Sequence, residues 1–202
     1  MSRILRLVIT GGPCAGKTTG LNFLKTELTR RGYKVLTVAE TATEVISSGI
    51  PFGEIPVDVF QRIIISRMLN KEATILMAAH AYNQDVVILY DRALLDTKAY
   101  MPHELFEQIL HENELNEEEA LKRYDAVFHL ITAADGAQKF YTLANNEARS
   151  ESPELARELD RKTNEAWSAH PCHKVIDNST PFKEKIDRLL EAVDEVLYPP
   201  PD

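Results

Sequence analysis

One run of eight residues, from position 11 to position 18, constrains the fold more than any other part of the sequence. It fits the spacing Gly-x-x-x-x-Gly-Lys-[Ser/Thr], and its residues are Gly11, Gly12, Pro13, Cys14, Ala15, Gly16, Lys17 and Thr18. Glycines allow positive φ angles and close approach to a ligand. The amides of such a turn at a helix N-terminus, here as far as Thr19, form a concave site for phosphate. We therefore expect the loop to bind a nucleoside triphosphate, with Lys17 reaching the β and γ oxygens and Thr18 binding Mg²⁺.

The segments on both sides of this loop have the patterns that such a site requires. A short apolar run before it is typical of a strand buried on both faces, and Leu21, Leu24 and Leu28 after it fall at helical spacing. Predicted strands cover 4–10, 34–38, 86–90, 126–131 and 175–176. Predicted helices cover 17–31, 60–79, 102–122, 153–167 and 181–197, and the range 102–122 is expected to hold two helices with a break near 113–116. This alternation predicts an α/β fold with a five-stranded parallel sheet and helices on both faces. We expect one domain over 1–198, followed by a tail at 199–202.

Composition narrows the range of partners. The formal net charge is -8 at pH 7, and the sequence has no dense basic stretch. Proteins that bind nucleic acid or an anionic membrane surface need clustered Lys and Arg, so we expect neither partner. Two cysteines are too few for a disulfide framework, the N-terminus lacks a signal-peptide pattern, and no segment approaches the ~18 apolar residues of a membrane span. A cytoplasmic protein is the expectation.

Asp91 is the candidate that completes a magnesium site. It follows the buried run 86–90, and ligands of open α/β sheets bind at the carboxyl ends of the strands. Asp91 is therefore predicted to hold Mg²⁺ opposite Thr18, with Arg92 neutralising phosphate charge. The alternative, which is compatible with the first, is that Asp91 caps a helix. Asp96 is either a further member of the site or a surface acid.

Several other polar residues are candidates for the second substrate and for the transition state. Glu40, at the end of the second strand, either acts on an attacking hydroxyl or caps the following helix. Gln61 and Arg67, on the long helix, either bind an acceptor or lie at the surface. Arg149, in the irregular segment before the helix at 153–167, is the best candidate for an arginine that stabilises the transferred phosphoryl group.

The segment after the last strand is the candidate site for the nucleotide base. Asn178, Ser179 and Thr180 follow that strand, where such folds hold the base, although a turn that caps the last helix is an equal alternative. His129 falls in the middle of a predicted strand, and we expect it to be packed rather than catalytic.

Short runs along nearly the whole chain together resemble one family. They are Gly11-Gly-Pro-Cys-Ala-Gly-Lys-Thr-Thr19, Glu40-Thr-Ala-Thr43, Asp91-Arg92 with Asp96, Arg123-Tyr-Asp125, Ala133-Ala-Asp-Gly136, Phe140-Tyr141, Leu159-Asp160, Ala166-Trp167, His170-Pro171 and Val175-Ile-Asp-Asn-Ser-Thr180. The sequence resembles the P-loop NTPase domain of the TRPL-translocation-defect family, which is AAA-like. It is more distantly similar to ribosylnicotinamide kinase domains and to deoxynucleoside kinases.

The resemblance to nucleoside kinases implies roles for matching residues. There, a Glu after the second strand acts on the sugar hydroxyl, a role that would fall to Glu40 here. A Phe-Gln pair meets the base, which would be Phe60 and Gln61, and an acid-Arg pair follows the third strand, which would be Asp91 and Arg92. A lid arginine would correspond to Arg149.

We expect from all this a nucleoside-kinase-like P-loop fold. The predicted reaction is transfer of the γ-phosphoryl group of ATP or GTP, with Mg²⁺, to a hydroxyl of a small molecule that resembles a nucleoside. The alternative is a nucleotide-dependent switch, or a simple NTPase, that acts through a protein partner. A polar pocket around Glu40 and Gln61 would favour the kinase, and a flat apolar surface there would favour the switch.

Overall fold

A sheet of five parallel strands forms the centre of the protein. The computed structural model describes residues 2–137 and 152–199. The strands are β1 (Ile4–Thr10), β2 (Lys34–Val38), β3 (Val86–Asp91), β4 (Ala126–Leu130) and β5 (His173–Ile176), and they lie side by side in the order β2-β3-β1-β4-β5. The predicted fold class, a five-stranded parallel sheet flanked by helices, is therefore confirmed.

Helices connect the strands, as parallel pairing requires. They are α1 (Lys17–Arg30), α2 (Thr41–Ser47), α3 (Val57–His80), α4 (His103–Glu112), α5 (Glu117–Leu121), α6 (Pro153–Ala166) and α7 (Phe182–Leu197), with a 3₁₀ helix at Leu94–Tyr100 between β3 and α4. The capping alternatives for Glu40 and Asp91 implied a helix after each, but the sequence pattern gave no bounds for α2 or the 3₁₀ helix, because seven residues are too few to display a helical period. None of the described helices is both long and apolar enough to cross a membrane.

Alternating side chains of the strands bury two separate cores. On β1, Leu7 and Ile9 face a core shared with α1 and α7, whereas Val8 faces a core shared with α3, α4 and the end of α6. The β1–β2 connection runs along the sheet in the opposite direction from the later ones. Because crossovers are right-handed, α1 lies on the face opposite α3 and α4.

The strand order brings three candidate segments to one edge of the sheet. β1 pairs directly with β3, with Ile9 opposite Asp91, and with β4, with Thr10 opposite His129. The carboxyl ends of these strands are therefore neighbours. The phosphate loop, Asp91 and the residues that follow β4 meet at this edge, where open α/β sheets bind their ligands.

Candidate active site

The loop between β1 and α1 has the conformation of a phosphate cradle. Gly11 and Gly16 have φ angles of +131° and +91°, in the region that favours glycine. A Cβ on Gly11 would lie 1.9 Å from the Leu130 carbonyl oxygen, and one on Gly16 would lie 2.5 Å from the Phe182 ring. The fold therefore needs glycine at both positions, and the N-terminus of α1 faces the open side of the loop.

Lys17 lies over this loop, where the phosphates would lie. Its side chain is buried, and its Nζ donates hydrogen bonds to the carbonyl oxygens of Gly11 (3.0 Å) and Gly12 (2.8 Å). Thr18 and Thr19 are exposed at the start of α1. The residues predicted from the motif are thus grouped around one concave surface.

A carboxylate from α6 holds the loop from behind. Asp160 Oδ1 accepts a hydrogen bond from the Gly12 amide (2.5 Å), contacts His129 Nε2 (3.1 Å) and accepts from the Thr132 amide (3.3 Å). His129 is fully buried, so its predicted packing role is confirmed. No role was predicted for Asp160, although its place on the buried stripe of α6, with Ala156 and Thr163, is a sequence signal that could have identified it.

Asp91 ends β3 with one oxygen free. Its Oδ1 is buried and has no hydrogen-bond partner in the described part of the chain. Burial raises the pKa of this carboxyl; the charges of Glu40 and Asp96 add to the effect, and Lys17 opposes it. The cap position of the following 3₁₀ helix belongs to Ala93, so Asp91 is not its N-cap.

These surroundings fit Mg²⁺. The ion prefers oxygen ligands and usually takes only one or two protein groups, together with waters and substrate phosphates. The Thr18 hydroxyl and the free Asp91 oxygen supply such ligands. Among the described residues there is no cluster of three or more His, Cys, Asp or Glu that could bind a metal without the nucleotide.

Arg92 joins the strand edge to Glu40. It has a left-handed backbone with φ +65°, uncommon for a residue with a Cβ, and its side chain is buried. Nε donates to Glu40 Oε1 (2.8 Å) and Nη1 to Asp96 Oδ1 (3.3 Å), and Nη2 has no partner within the described residues. Thr43 donates to the other Glu40 oxygen at 2.7 Å. Glu40 is therefore held in place, and one buried donor of Arg92 remains for a ligand.

Asp96 anchors this arrangement rather than lying at the surface. It accepts hydrogen bonds from Thr10 Oγ1, from the Ala93 amide (2.9 Å) and from Trp167 Nε1 (3.2 Å), in addition to Arg92. All of these partners are donors. Asp96 thus fixes Arg92 to β1 and to the end of α6.

A cavity of about 900 Å³ opens beside Glu40 and Arg92. Its lining is mainly apolar: Ile46, Pro51, Phe52, Phe60, Ile64, Met68, Met101, Pro102, Leu155 and Leu159. Gln61 lies in the wall and is buried, which agrees with a role in acceptor binding. Arg67 is not part of the lining; its side chain is 56% exposed, and its ion pair with Glu44 is long, at 3.9 Å. The structure thus places Phe60 and Gln61, but not Arg67, in the lining of this cavity.

The segment after β5 supports the site through its side chains. Asn178 Nδ2 donates to the carbonyl oxygens of Thr132 (2.8 Å) and Asp135 (2.5 Å), and Ser179 Oγ donates to Asp177 Oδ1 (2.6 Å). The Thr180 hydroxyl oxygen is buried with no partner in the part of the chain that the structure describes. None of these side chains caps α7. Arg149, the predicted transition-state arginine, lies outside the described residues.

The fold and the phosphate loop define a P-loop nucleotide-binding protein of the NTPase class. The chain belongs to a family of AAA domains, because the protein-family model described as "AAA domain" matches its residues 6–185. A search of curated proteins finds no match. The family match covers most of the chain and supports both the P-loop fold and nucleotide binding.

Proposed function

We propose that the protein transfers the γ-phosphoryl group of ATP or GTP to a hydroxyl of a small, nucleoside-like molecule. The cavity of about 900 Å³ beside Glu40 and Arg92 carries this proposal. It is a partly open space lined by Glu40 and Arg92, and it adjoins the triphosphate site, because Asp91 lies within the electrostatic reach of both Lys17 and Glu40. A switch that signals to a protein would not require such a space.

The charges around the cavity favour an acceptor without a phosphate of its own. Three cationic side chains of the described residues line it, and each has a carboxylate partner. Arg92 contacts Glu40 at 2.8 Å, Lys98 contacts Glu117 at 2.6 Å, and Lys162 contacts Glu158 at 2.7 Å. An anionic acceptor would have to displace these partners. A neutral molecule with a flat apolar part fits the walls better.

The proposed mechanism assigns one task to each group near the reacting atoms. Glu40 accepts or orients the proton of the attacking hydroxyl, and Arg92 Nη2 donates to the acceptor. Lys17 and the loop amides stabilise the charge of the transferred group, and Arg149 is proposed to add to this. Thr18 and Asp91 would hold Mg²⁺, which would supply charge neutralisation on the phosphate oxygens. Catalysis on this scheme is positioning and electrostatics.

Three further expectations belong to the same proposal. The loop at Asn178, Ser179 and Thr180 would border the nucleotide base. Within the AAA-domain family, the protein would be related most specifically to the P-loop domain of the TRPL-translocation-defect family. The protein would work in the cytoplasm as a single unit over residues 1–198.

A transfer assay tests the proposal. Labelled ATP and GTP are incubated with a panel of nucleosides and neutral metabolites, using the wild type, Glu40→Gln, Lys17→Ala and the control Glu54→Gln, which changes an exposed acid outside the cavity lining. We expect a phosphorylated acceptor with the wild type and the control, and a loss of about 100-fold in rate with Glu40→Gln at unchanged nucleotide affinity.

The outcomes separate the kinase from its rivals. Nucleotide binding without transfer to any acceptor would reject the kinase in favour of the switch, or of a simple NTPase if phosphate is released to water. Full transfer by Glu40→Gln would reject only the role of Glu40.

A further inference from the structure

A buried lysine connects the phosphate loop to the base-side loop. Lys185, on the first turn of α7, is 2% exposed. Its Nζ donates hydrogen bonds to the carbonyl oxygens of Ala15 (3.2 Å) and Ile131 (2.7 Å) and to Asn178 Oδ1 (2.8 Å). These acceptors belong to the phosphate loop, to the residue after β4 and to the segment after β5. All three protons of the ammonium group are therefore used.

This cation is buried without an opposite charge in contact. No carboxylate lies within ion-pair distance of Lys185 Nζ among the described residues, and its three acceptors are neutral. Burying an ammonium group in this way costs free energy unless another charge compensates it. Asp160 and Asp177 act on Lys185 only from a distance, and a triphosphate in the phosphate loop would bring further negative charge to the other side of the loop that Lys185 holds.

We propose that Lys185 is a positioning residue for the triphosphate. Its bond to the Ala15 carbonyl oxygen keeps that oxygen turned away from the phosphate site, so that the neighbouring amides face the ligand. Its positive charge, behind the loop, is compensated when the triphosphate binds. The inference rests on nucleotide binding at the loop and not on the identity of the acceptor.

The charged groups around Lys185 determine how this role depends on pH. Burial lowers the pKa of Lys185 to about 8; Asp160 of α6 and Asp177 before α7 oppose the shift, and Arg188 of α7 adds to it. The phosphate loop, which Lys185 contacts at Ala15, also carries Lys17 and the Cys14 thiol. A bound triphosphate favours the charged form, so it raises the pKa of Lys185. The affinity that depends on this charge is complete below about pH 8 and is lost as the pH rises further.

The inference is tested by calorimetry of the protein with Mg-ATP and with Mg-GTP between about pH 7 and pH 9.5. The titrations measure the affinity and the number of protons taken up on binding. The variants are Lys185→Arg, which keeps the charge at high pH, and Lys185→Met, which removes it. Lys183→Met removes an exposed lysine of the same helix as the matched control. Circular dichroism and urea unfolding establish that each variant folds.

We expect triphosphate binding to raise the pKa of Lys185 by at least one pH unit, which corresponds to a factor of about ten in affinity. Wild type and Lys183→Met should lose about tenfold in affinity across this range and take up protons most strongly near about pH 8.5. Lys185→Arg should retain its affinity, and Lys185→Met should bind about tenfold more weakly at pH 7, both without that uptake. Either variant alone is informative if the other fails to fold.

One pattern would overturn the inference. An equal loss of affinity and an equal proton uptake in wild type and in a folded Lys185 variant would mean that a group other than Lys185 is responsible. The acceptor proposal would be untouched by that result, since no transfer is measured.

Discussion

Two carboxyl groups five residues apart, Asp91 and Asp96, have opposite surroundings. Asp91 has a buried oxygen without a partner in the described residues and a raised pKa, which burial causes. Asp96 accepts from four donors, on Thr10, Arg92, Ala93 and Trp167. A free buried acceptor is suited to a ligand, and a satisfied one is suited to holding its neighbours. The surroundings of Asp91 therefore agree with its proposed metal role, and those of Asp96 with the support of Arg92.

Replacing Asp96 by Asn tests this division. The amide group would present N–H donors to a site where every partner is a donor, and Arg92 would lose a buried counter-charge. We expect Asp96→Asn to lower the free energy of unfolding by about 2–4 kcal/mol, measured by urea unfolding. Asp58→Asn, at an exposed ion pair with Arg62, should have little effect. Equal stabilities of the two variants would contradict the support role.

Sequence reasoning placed several candidate residues correctly in the fold where a local pattern marks them, although their chemical roles stay predictions. Lys17 and Thr18 follow from a motif, and Asp91 follows from its place after a buried strand. Asp96 stayed open because its partner Trp167 lies 71 residues away. Asp160 and Lys185 were missed because a single polar residue on an apolar helix stripe gains its meaning only from the loop packed against it.

At the scale of elements, the junction between β1 and α1 is the least tolerant part of the fold. Gly11 and Gly32 both have positive φ angles, of +131° and +93°, and they differ in their surroundings. The Cβ position of Gly11 meets the Leu130 backbone of β4, whereas that of Gly32, after α1, is open. A side chain at Gly32 would therefore add only the cost of a left-handed backbone, whereas a side chain at Gly11 would add a steric clash as well.

We expect Gly32→Ala to destabilise the protein by about 1–2 kcal/mol, the cost of a left-handed residue with a side chain. Gly11→Ala should cost more than about 3 kcal/mol, because β1 and β4 must also separate. Thermal and urea unfolding of both variants measure the difference. Similar costs would show that the β1–β4 contact at Leu130 relaxes easily.

Prediction from sequence worked well for elements with strong patterns. The five strands and the long helices follow from apolar runs and helical spacing, and α4 and α5 were anticipated as two helices within 102–122. The short α2 and the 3₁₀ helix were not delimited by the sequence pattern. They are shaped by the side chains around Glu40 and Asp96, which belong to the site rather than to a local pattern.

At the scale of the whole molecule, three histidines on and beside β4 and β5 are expected to make the free energy of unfolding depend on pH. They are His129, His170 and His173. His173 of β5 packs 6.2 Å from His129 between ring centroids, and its Nε2 is buried without a partner among the described residues. The pKa of His173 is lowered to about 4, mainly by burial and in smaller part by the charges of the nearby His129 and His170. Since the folded state holds this imidazole neutral, the unfolded state binds the extra proton below about pH 6.5.

Acid should therefore destabilise the wild type more than His173→Gln. Between pH 7 and pH 5 we expect the free energy of unfolding to fall by about 1 kcal/mol more in the wild type, a figure reduced because His173 is only partly buried. Urea unfolding at both pH values measures it. An identical pH dependence of the two proteins would place the acid-sensitive group elsewhere.

Calorimetric titration of the folded protein with ATP and GTP, with Mg²⁺ and with EDTA, tests the triphosphate site most directly. We expect saturable binding of at least one nucleotide that weakens when Mg²⁺ is removed. We also expect a loss of at least about tenfold in Lys17→Ala, because the ammonium group is proposed to contact the phosphates. Lys25→Ala, at an exposed position of α1, should bind like the wild type. Binding of neither nucleotide by well-folded wild type, or equal binding by Lys17→Ala, would contradict the site at residues 11–18.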